Sequence, residues 1–237
     1  MPAPTTLSRS IRKLLEVVHV ASRAEKRPGF SSALGLTSDF FHQQASHDPP
    51  TLSYDDANQT LNVQVSLSDQ LLLPQRSLIS LSTYLAMMDD ITTYALMLAD
   101  PQRARAGVSV SLSAEWAHDS VSRQSTNVEY SMVGRLPGDV VQISAQVRKV
   151  GRNLGFCSCE IRHVPSGSLI CFGSHIKYLP MGAVMDFLQS QRGWKLAQLY
   201  AEYGISKPQH ETTTLPLSAI FDSFDFNRGT SRGSFQV

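Results

Sequence analysis

From Leu81 to Ala99 the apolar residues Leu81, Tyr84, Leu85, Met88, Ile91, Ala95 and Leu98 recur every three or four positions. That spacing predicts a helix with a broad apolar face, because residues three and four apart share one side of a helical turn. Its small and apolar residues suit burial on more than one side. Asp100-Pro101 closes the helix, since proline disfavours helical geometry in the residue before it. On both sides of this segment the period changes to two. Leu61-Asn-Val-Gln-Val-Ser-Leu alternates upstream, after a turn at Asp56 to Asn58. Downstream, Val108-Ser-Val-Ser-Leu-Ser-Ala alternates, and Val140 to Val150 does so through Val141, Ile143, Ala145 and Val147. Gly151-Arg-Asn then turns into Leu154 to Val164, and Pro165-Ser-Gly into Leu169 to Leu179. Such runs are half-buried strands, and the tight turns fix the last three as an antiparallel meander. A sheet must cover its apolar face and one helix is available to cover it, so the expected class is α+β.

The flanks are less regular. Ile11, Leu14, Leu15, Val18, Ala21 and Ala24 follow a helical period. The same stretch lacks acids up to Leu15 and carries Arg9, Arg12 and Lys13, which is also the composition of an organelle transit peptide. Both readings stay open. Gly29 to Pro50 reads as a connecting segment. Beyond the strands, Met185 to Tyr203 has the spacing of a second amphipathic helix, with Gly204 as its C-cap. Lys207 to Val237 is rich in Ser, Thr and Gly and is expected to be a loose tail, held by a partner where it is ordered. The expected divisions are therefore 1–50, 51–180 and 181–237.

Composition excludes several classes. With 237 residues, 42% hydrophobic and 17% charged, the chain is globular, and a formal charge of +1 offers no basic surface for nucleic acid. No apolar run approaches the roughly 20 residues that cross a bilayer, and Asp89 and Asp90 interrupt the longest candidate. Cys157, Cys159 and Cys171 are an odd set without metal-ligand spacing, so they read as buried thiols in a reducing compartment. His118, His163 and His175 fit no zinc pattern either, and their expected role is surface or core hydrogen bonding. No metal and no cofactor is implied.

Inside the central helix, Leu85-Ala-Met-Met-Asp-Asp-Ile-Thr-Thr-Tyr-Ala-Leu places an acid before small and apolar positions. Gly107-Val-Ser-Val-Ser-Leu follows it. Then come Leu136-Pro-Gly-Asp-Val-Val, Lys149-Val-Gly-Arg-Asn-Leu-Gly-Phe and Gly167-Ser-Leu-Ile-Cys-Phe-Gly-Ser-His. With Ile11-Arg-Lys-Leu-Leu and Arg23-Ala-Glu-Lys ahead of them, these segments in this order resemble the hotdog-fold thioesterase superfamily. Within it they are similar to small acyl-CoA thioesterases of the phenylacetate-pathway type and their animal mitochondrial relatives. The resemblance covers about residues 8–180. Each motif is short, and the specificity lies in their order.

The resemblance implies a long antiparallel sheet wrapped around a central helix, and a site for thioester hydrolysis. In active relatives an acid on the helix activates water or attacks the carbonyl. A Gly-rich turn, usually His-Gly-Gly, polarises that carbonyl with backbone N–H groups, and an upstream Asn and a strand Ser complete the site. Asp89 falls on the acid position and Ser109 on the strand serine. Ser80-Leu81-Ser82 stands at the substrate-binding turn and Pro74 at the Asn. Leu81 is bulky where glycine lets a thioester approach backbone, and Pro74 has no amide and no N–H. Losing one carbonyl-polarising donor costs roughly 10²–10³ in rate.

The first functional expectation is therefore a catalytically degenerate hotdog protein, acting as an accessory subunit of a larger assembly through its N- and C-terminal extensions. The alternatives are an active acyl-CoA thioesterase using Asp89 with Ser109, and a non-catalytic binder of acyl-CoA or acyl carrier protein. Pairing is expected with an identical chain or another hotdog subunit, because such folds complete their acyl site and extend their sheet across a dimer. Family resemblance and the basic N-terminus point to the mitochondrion, with the cytoplasm as the alternative.

Overall fold

A computed structural model describes residues 8–24, 30–100, 105–117, 132–180 and Gly193. The elements in chain order are α1 (Arg9–Ala24), α2 (Phe30–Ala33), α3 (Ser38–Ser46), β1 (Leu52–Asp55), β2 (Thr60–Ser66), α4 (Leu81–Ala99), β3 (Val108–Trp116), β4 (Val140–Val150), β5 (Leu154–His163) and β6 (Leu169–Tyr178). A short 3-10 turn at Asp69–Leu71 joins β2 to the approach of α4.

The six strands form one antiparallel sheet in the order β1-β2-β4-β5-β6-β3. β4, β5 and β6 are the expected meander, and α4 is the expected central helix. Along β4 the inward residues Val141, Ile143, Ala145 and Val147 are buried while their neighbours are half-exposed. They meet the apolar side of α4, whose Tyr84, Met87, Met88, Ile91, Ala95 and Leu96 are buried. Two glycines let helix and sheet approach. A Cβ at Gly155 would sit 2.7 Å from a methyl of Leu96, and one at Gly173 would sit 2.8 Å from Met88 Sδ and collide with the Ser113 carbonyl.

Both ends of α4 are tied down. Ser80 is its N-cap, its Oγ accepting from the Thr83 N–H at 3.1 Å. At the other end the last carbonyls lack intrahelical donors. Lys13 Nζ donates to the carbonyls of Met97 at 2.8 Å and Asp100 at 3.3 Å. The Asp100 carboxylate in turn pairs with Arg105 at 2.7 Å. α1 thus packs its apolar side, Ile11, Leu14, Leu15 and Val18, into the same core that α4 fills.

The segment expected to be a connection contains two further helices. Thr37 caps α3 by accepting from the Phe40 N–H at 3.2 Å, and Phe41 is fully buried against Tyr94. The signal was present as Thr37 with Asp39 in the first turn, the usual start of a helix. The turn at Asp56 to Asn58 closes a hairpin, because β1 pairs with β2 before it. Asp55 holds this turn through the N–H groups of Ala57 and Asn58. The three cysteines are free and buried. Burial pushes the thiols of Cys157 and Cys171 up to about 12. His118 to Asn127, the helix expected at Met185 to Tyr203 (except Gly193), Gly204 and the tail from Lys207 lie outside the described residues.

Candidate functional site

Alternation in β3 alone would put Val108, Val110, Leu112 and Ala114 on one face and Ser109 on the other. The structure departs from this. Leu112, Ala114 and Trp116 do face α4, with Trp116 edge-on to Tyr84. Between Ser109 and Ser111, however, the pairing with β6 shifts by a β-bulge: Ser109 pairs with Lys177 and Ser111 with Ile176. The extra residue is Val110. One inserted residue reverses the face of everything before it, so Ser109 turns toward the helix and Val108 toward the outside.

That turn brings Ser109 to Asp89. Ser109 Oγ donates to Asp89 Oδ1 at 3.0 Å. It also lies 2.9 Å from His175 Nε2, and His175 Nε2 is 3.3 Å from Asp89 Oδ1. The other ring nitrogen of His175 meets Thr92 Oγ1 at 2.6 Å, and Thr92 lies 2.5 Å from the Met88 carbonyl. Lys177 Nζ is 3.7 Å from Asp89 Oδ1 and donates to Thr93 Oγ1 at 2.6 Å. The Asp89 side chain keeps 42% of its exposure, while those of His175 and Lys177 keep 1% and 6%. The acid is at the surface, and its polar neighbours are buried behind it.

Burial and the nearby Lys177 ammonium hold His175 down at about 4, so the ring is neutral at pH 7. Two proton arrangements then close the chain. In one, Thr92 donates to Nδ1, Nε2–H donates to Ser109, and Ser109 donates to Asp89. In the other, Nδ1–H donates to Thr92, Thr92 donates to the Met88 carbonyl, and Nε2 accepts the Ser109 proton. Switching between them moves the serine proton from the carboxylate side to the imidazole side. An acid, a hydroxyl and a neutral imidazole in mutual contact can take a proton from water or an alcohol.

The second half of the expected site stands apart. Ser80, Leu81 and Ser82 form the first turn of α4, about 12 Å along the helix axis from Asp89 at 1.5 Å per residue. The Ser80 hydroxyl occupies this end, 2.7 Å from Ser82 Oγ and 3.0 Å from Thr83 Oγ1. Pro74 lies in an exposed turn beside Gln75, whose φ is +60°. Asp90, the next residue on α4, is half-buried, and its charge acts on Lys177.

His175 is core and hydrogen-bonded, as expected of it, but the group it bonds is the candidate site. The sequence signal that singles it out is His175-x-Lys177 on an otherwise apolar strand face, opposite Cys157 and Gly155 on β5. A buried ammonium and a buried imidazole aimed into a core need polar partners, and Asp89 is in reach. Among the described residues no group of His, Cys, Asp and Glu is arranged to hold a metal. Among the same residues no helix is long and apolar enough to cross a membrane.

No family model matches the chain. Over 93 residues it is 32% identical to acyl-coenzyme A thioesterase 13 of Homo sapiens, and equally to that of Pongo abelii; the match takes in 39% of this chain and 54% of each relative. The chain thus spans about half the length of the curated relatives it matches. Similar solved structures include zebrafish thioesterase superfamily member 2, with TM-score 0.48 and 19% identity over 73% of this chain and 100% of that one. The Mus musculus thioesterase superfamily member 2 gives 0.45 and 18%, over 74% and 99%. The E. coli PaaI protein, from the phenylacetic acid degradation operon, gives 0.46 and 14%, over 75% and 99%. An antiparallel sheet wrapped around one buried helix is the hotdog arrangement. Over the 93 matched residues the chain is similar to these acyl-coenzyme A thioesterases, and its sheet and helix share the arrangement.

Proposed function

We propose that the chain hydrolyses acyl-CoA thioesters, with Asp89 as the acid that activates water or attacks the carbonyl. Ser109 and His175 hold and relay its proton. The observation that carries this reading is the position of one hydroxyl: Ser109 Oγ is 3.0 Å from Asp89 Oδ1 and 2.9 Å from His175 Nε2. It reaches both through a bulge that turns it away from its default face. Burying an imidazole and an ammonium costs free energy that an apolar pair would not, and both groups converge on one accessible carboxylate. The test is hydrolysis of acyl-CoAs of several chain lengths by the full chain. General acid–base catalysis contributes typically 10²–10⁴-fold, and Asp89→Asn is expected to lose about that much. Equal, negligible rates for both proteins refute the reading.

A second reading is favoured by the other end of α4. There the Ser80 hydroxyl already takes the Thr83 N–H, and Leu81 stands where a thioester would approach backbone. A chain altered in this way is a degenerate hotdog protein serving as an accessory subunit, with deletion of 207–237 expected to release its partner. An acyl-CoA binder would keep its ligand after the same deletion. Pairing supports any of the three. β3 is the outermost strand, and Val108 and Val110 are 54% and 63% exposed on it. Among the described residues no strand lies beyond this nine-residue edge, which is a template for another strand, and a second copy or another hotdog subunit would cover it. The mitochondrial address stays part of this proposal.

A further inference from the structure

The chemistry above assigns no task to Lys177. It stands on β6 two residues after His175, on the face toward α4. Nζ donates to Thr93 Oγ1 at 2.6 Å, and Thr93 Oγ1 donates to the Asp89 carbonyl at 2.6 Å. The same ammonium is 3.7 Å from Asp89 Oδ1. The charge is therefore fixed to the helix turn that carries the acid, on the buried side of its carboxylate. Burial lowers the Lys177 pKa, and the charges of Asp89 and Asp90 oppose that fall. A methionine would fill this position without any charge to desolvate.

We propose that Lys177 is the positioning residue of the site: anchored to α4 through Thr93, its ammonium seats the Asp89 carboxylate against Ser109. This deepens the acyl-CoA reading and rests on Asp89 being the acting acid. The titratable and charged groups facing His175 and Lys177 are Asp89 and Asp90 from α4 and Cys157 from β5. Cys157, with its thiol pushed up to about 12 by burial, is uncharged at neutral pH. Lys177 and His175 approach one carboxylate oxygen from 3.7 and 3.3 Å, so they lie within about 7 Å of one another. A cation that close opposes a second cation on the imidazole.

The test uses the full chain with Lys177→Met and Lys177→Arg. Imidazole resonances followed by NMR through a pH titration read the His175 midpoint directly. Lys177→Met is expected to raise it by about one to two pH units, the effect of removing a like charge at this range in a protein interior. Lys177→Arg should leave it near the native value. Turnover of acyl-CoA should show a lowered kcat with little change in KM for Lys177→Met, and partial rescue by Lys177→Arg. Thr93→Val removes the anchor while leaving every charge in place, and should lower kcat as well. A native His175 midpoint in Lys177→Met, or native kcat in both Lys177→Met and Thr93→Val, overturns the proposal. If the native chain turns over no acyl-CoA, the functional reading fails alone, and the titration still decides the role of Lys177.

Discussion

Acidifying this protein should unfold it sooner than its carboxylates alone require, and His175 is the reason. In the folded chain the ring titrates at about 4, against an ordinary value of 6.5. Between those two pH values the unfolded chain binds a proton at this position and the folded chain does not. Stability therefore rises with pH through that window and is level above it, as far as this residue is concerned. The displacement is about two and a half pH units at 1.36 kcal/mol each, so the full swing is about 3 kcal/mol. That is a large share of the roughly 5–15 kcal/mol that holds a domain together. The assay is urea unfolding at intervals from pH 7.5 to pH 4, on the native chain and on His175→Gln. Gln is close in size, keeps polar atoms for Thr92 and Ser109, and has nothing to titrate. The native chain should lose about 2–3 kcal/mol more than the variant over this range, nearly all of it below pH 6.5. Parallel pH dependences for the two proteins would refute the reasoning, because the folded imidazole would then be accepting its proton in place.

Gly173→Ala should destabilise the chain by about 2–3 kcal/mol in urea unfolding, since the new methyl collides with the Ser113 carbonyl, a backbone atom that no rotamer change can move. Deleting Val110 removes the bulge. Ser109 then stands two places from Leu112, still facing α4 and opposite Lys177, so the expected outcome is a near-native circular dichroism spectrum with hydrolysis kept well above that of Ser109→Ala. Val110→Lys, which puts charge on exposed β3, should weaken the proposed pairing, read in light scattering as a mass nearer that of one chain than the native protein gives.

The periods of three and a half and of two made α4 and the β4-β5-β6 meander legible, because each is a one-sided element whose pattern repeats over several turns or residues. α3 was harder to see. It is nine residues long, and its burial rests on Phe41 and Ala45 rather than on a stripe. β1 has four residues, too few for alternation to stand out. In the site, Asp89 and Ser109 were named by resemblance, and the residues between them explain neither their meeting nor its geometry. That depends on a bulge, and the Val-Ser-Val-Ser alternation of β3 argues for a regular strand instead. His175 and Lys177 carried a signal of a different kind, a pair of basic side chains on a face that should be apolar. Reading it as a site required knowing that β6 lies beside β3, an order set by tertiary pairing of strands far apart in the chain.

The bulge on β3 has a further consequence, for regulation. The residue that aims Ser109 sits on the outermost strand, in the stretch whose outward backbone groups a neighbouring chain would use. A bulge bends its strand and sharpens the local twist. Under the proposed pairing, assembly and chemistry would draw on the same few peptide groups, and a neighbour docked there would bear on the aim of the hydroxyl without touching the substrate. The proposed hydrolysis, measured per chain across a dilution series, should then follow the fraction assembled instead of staying constant.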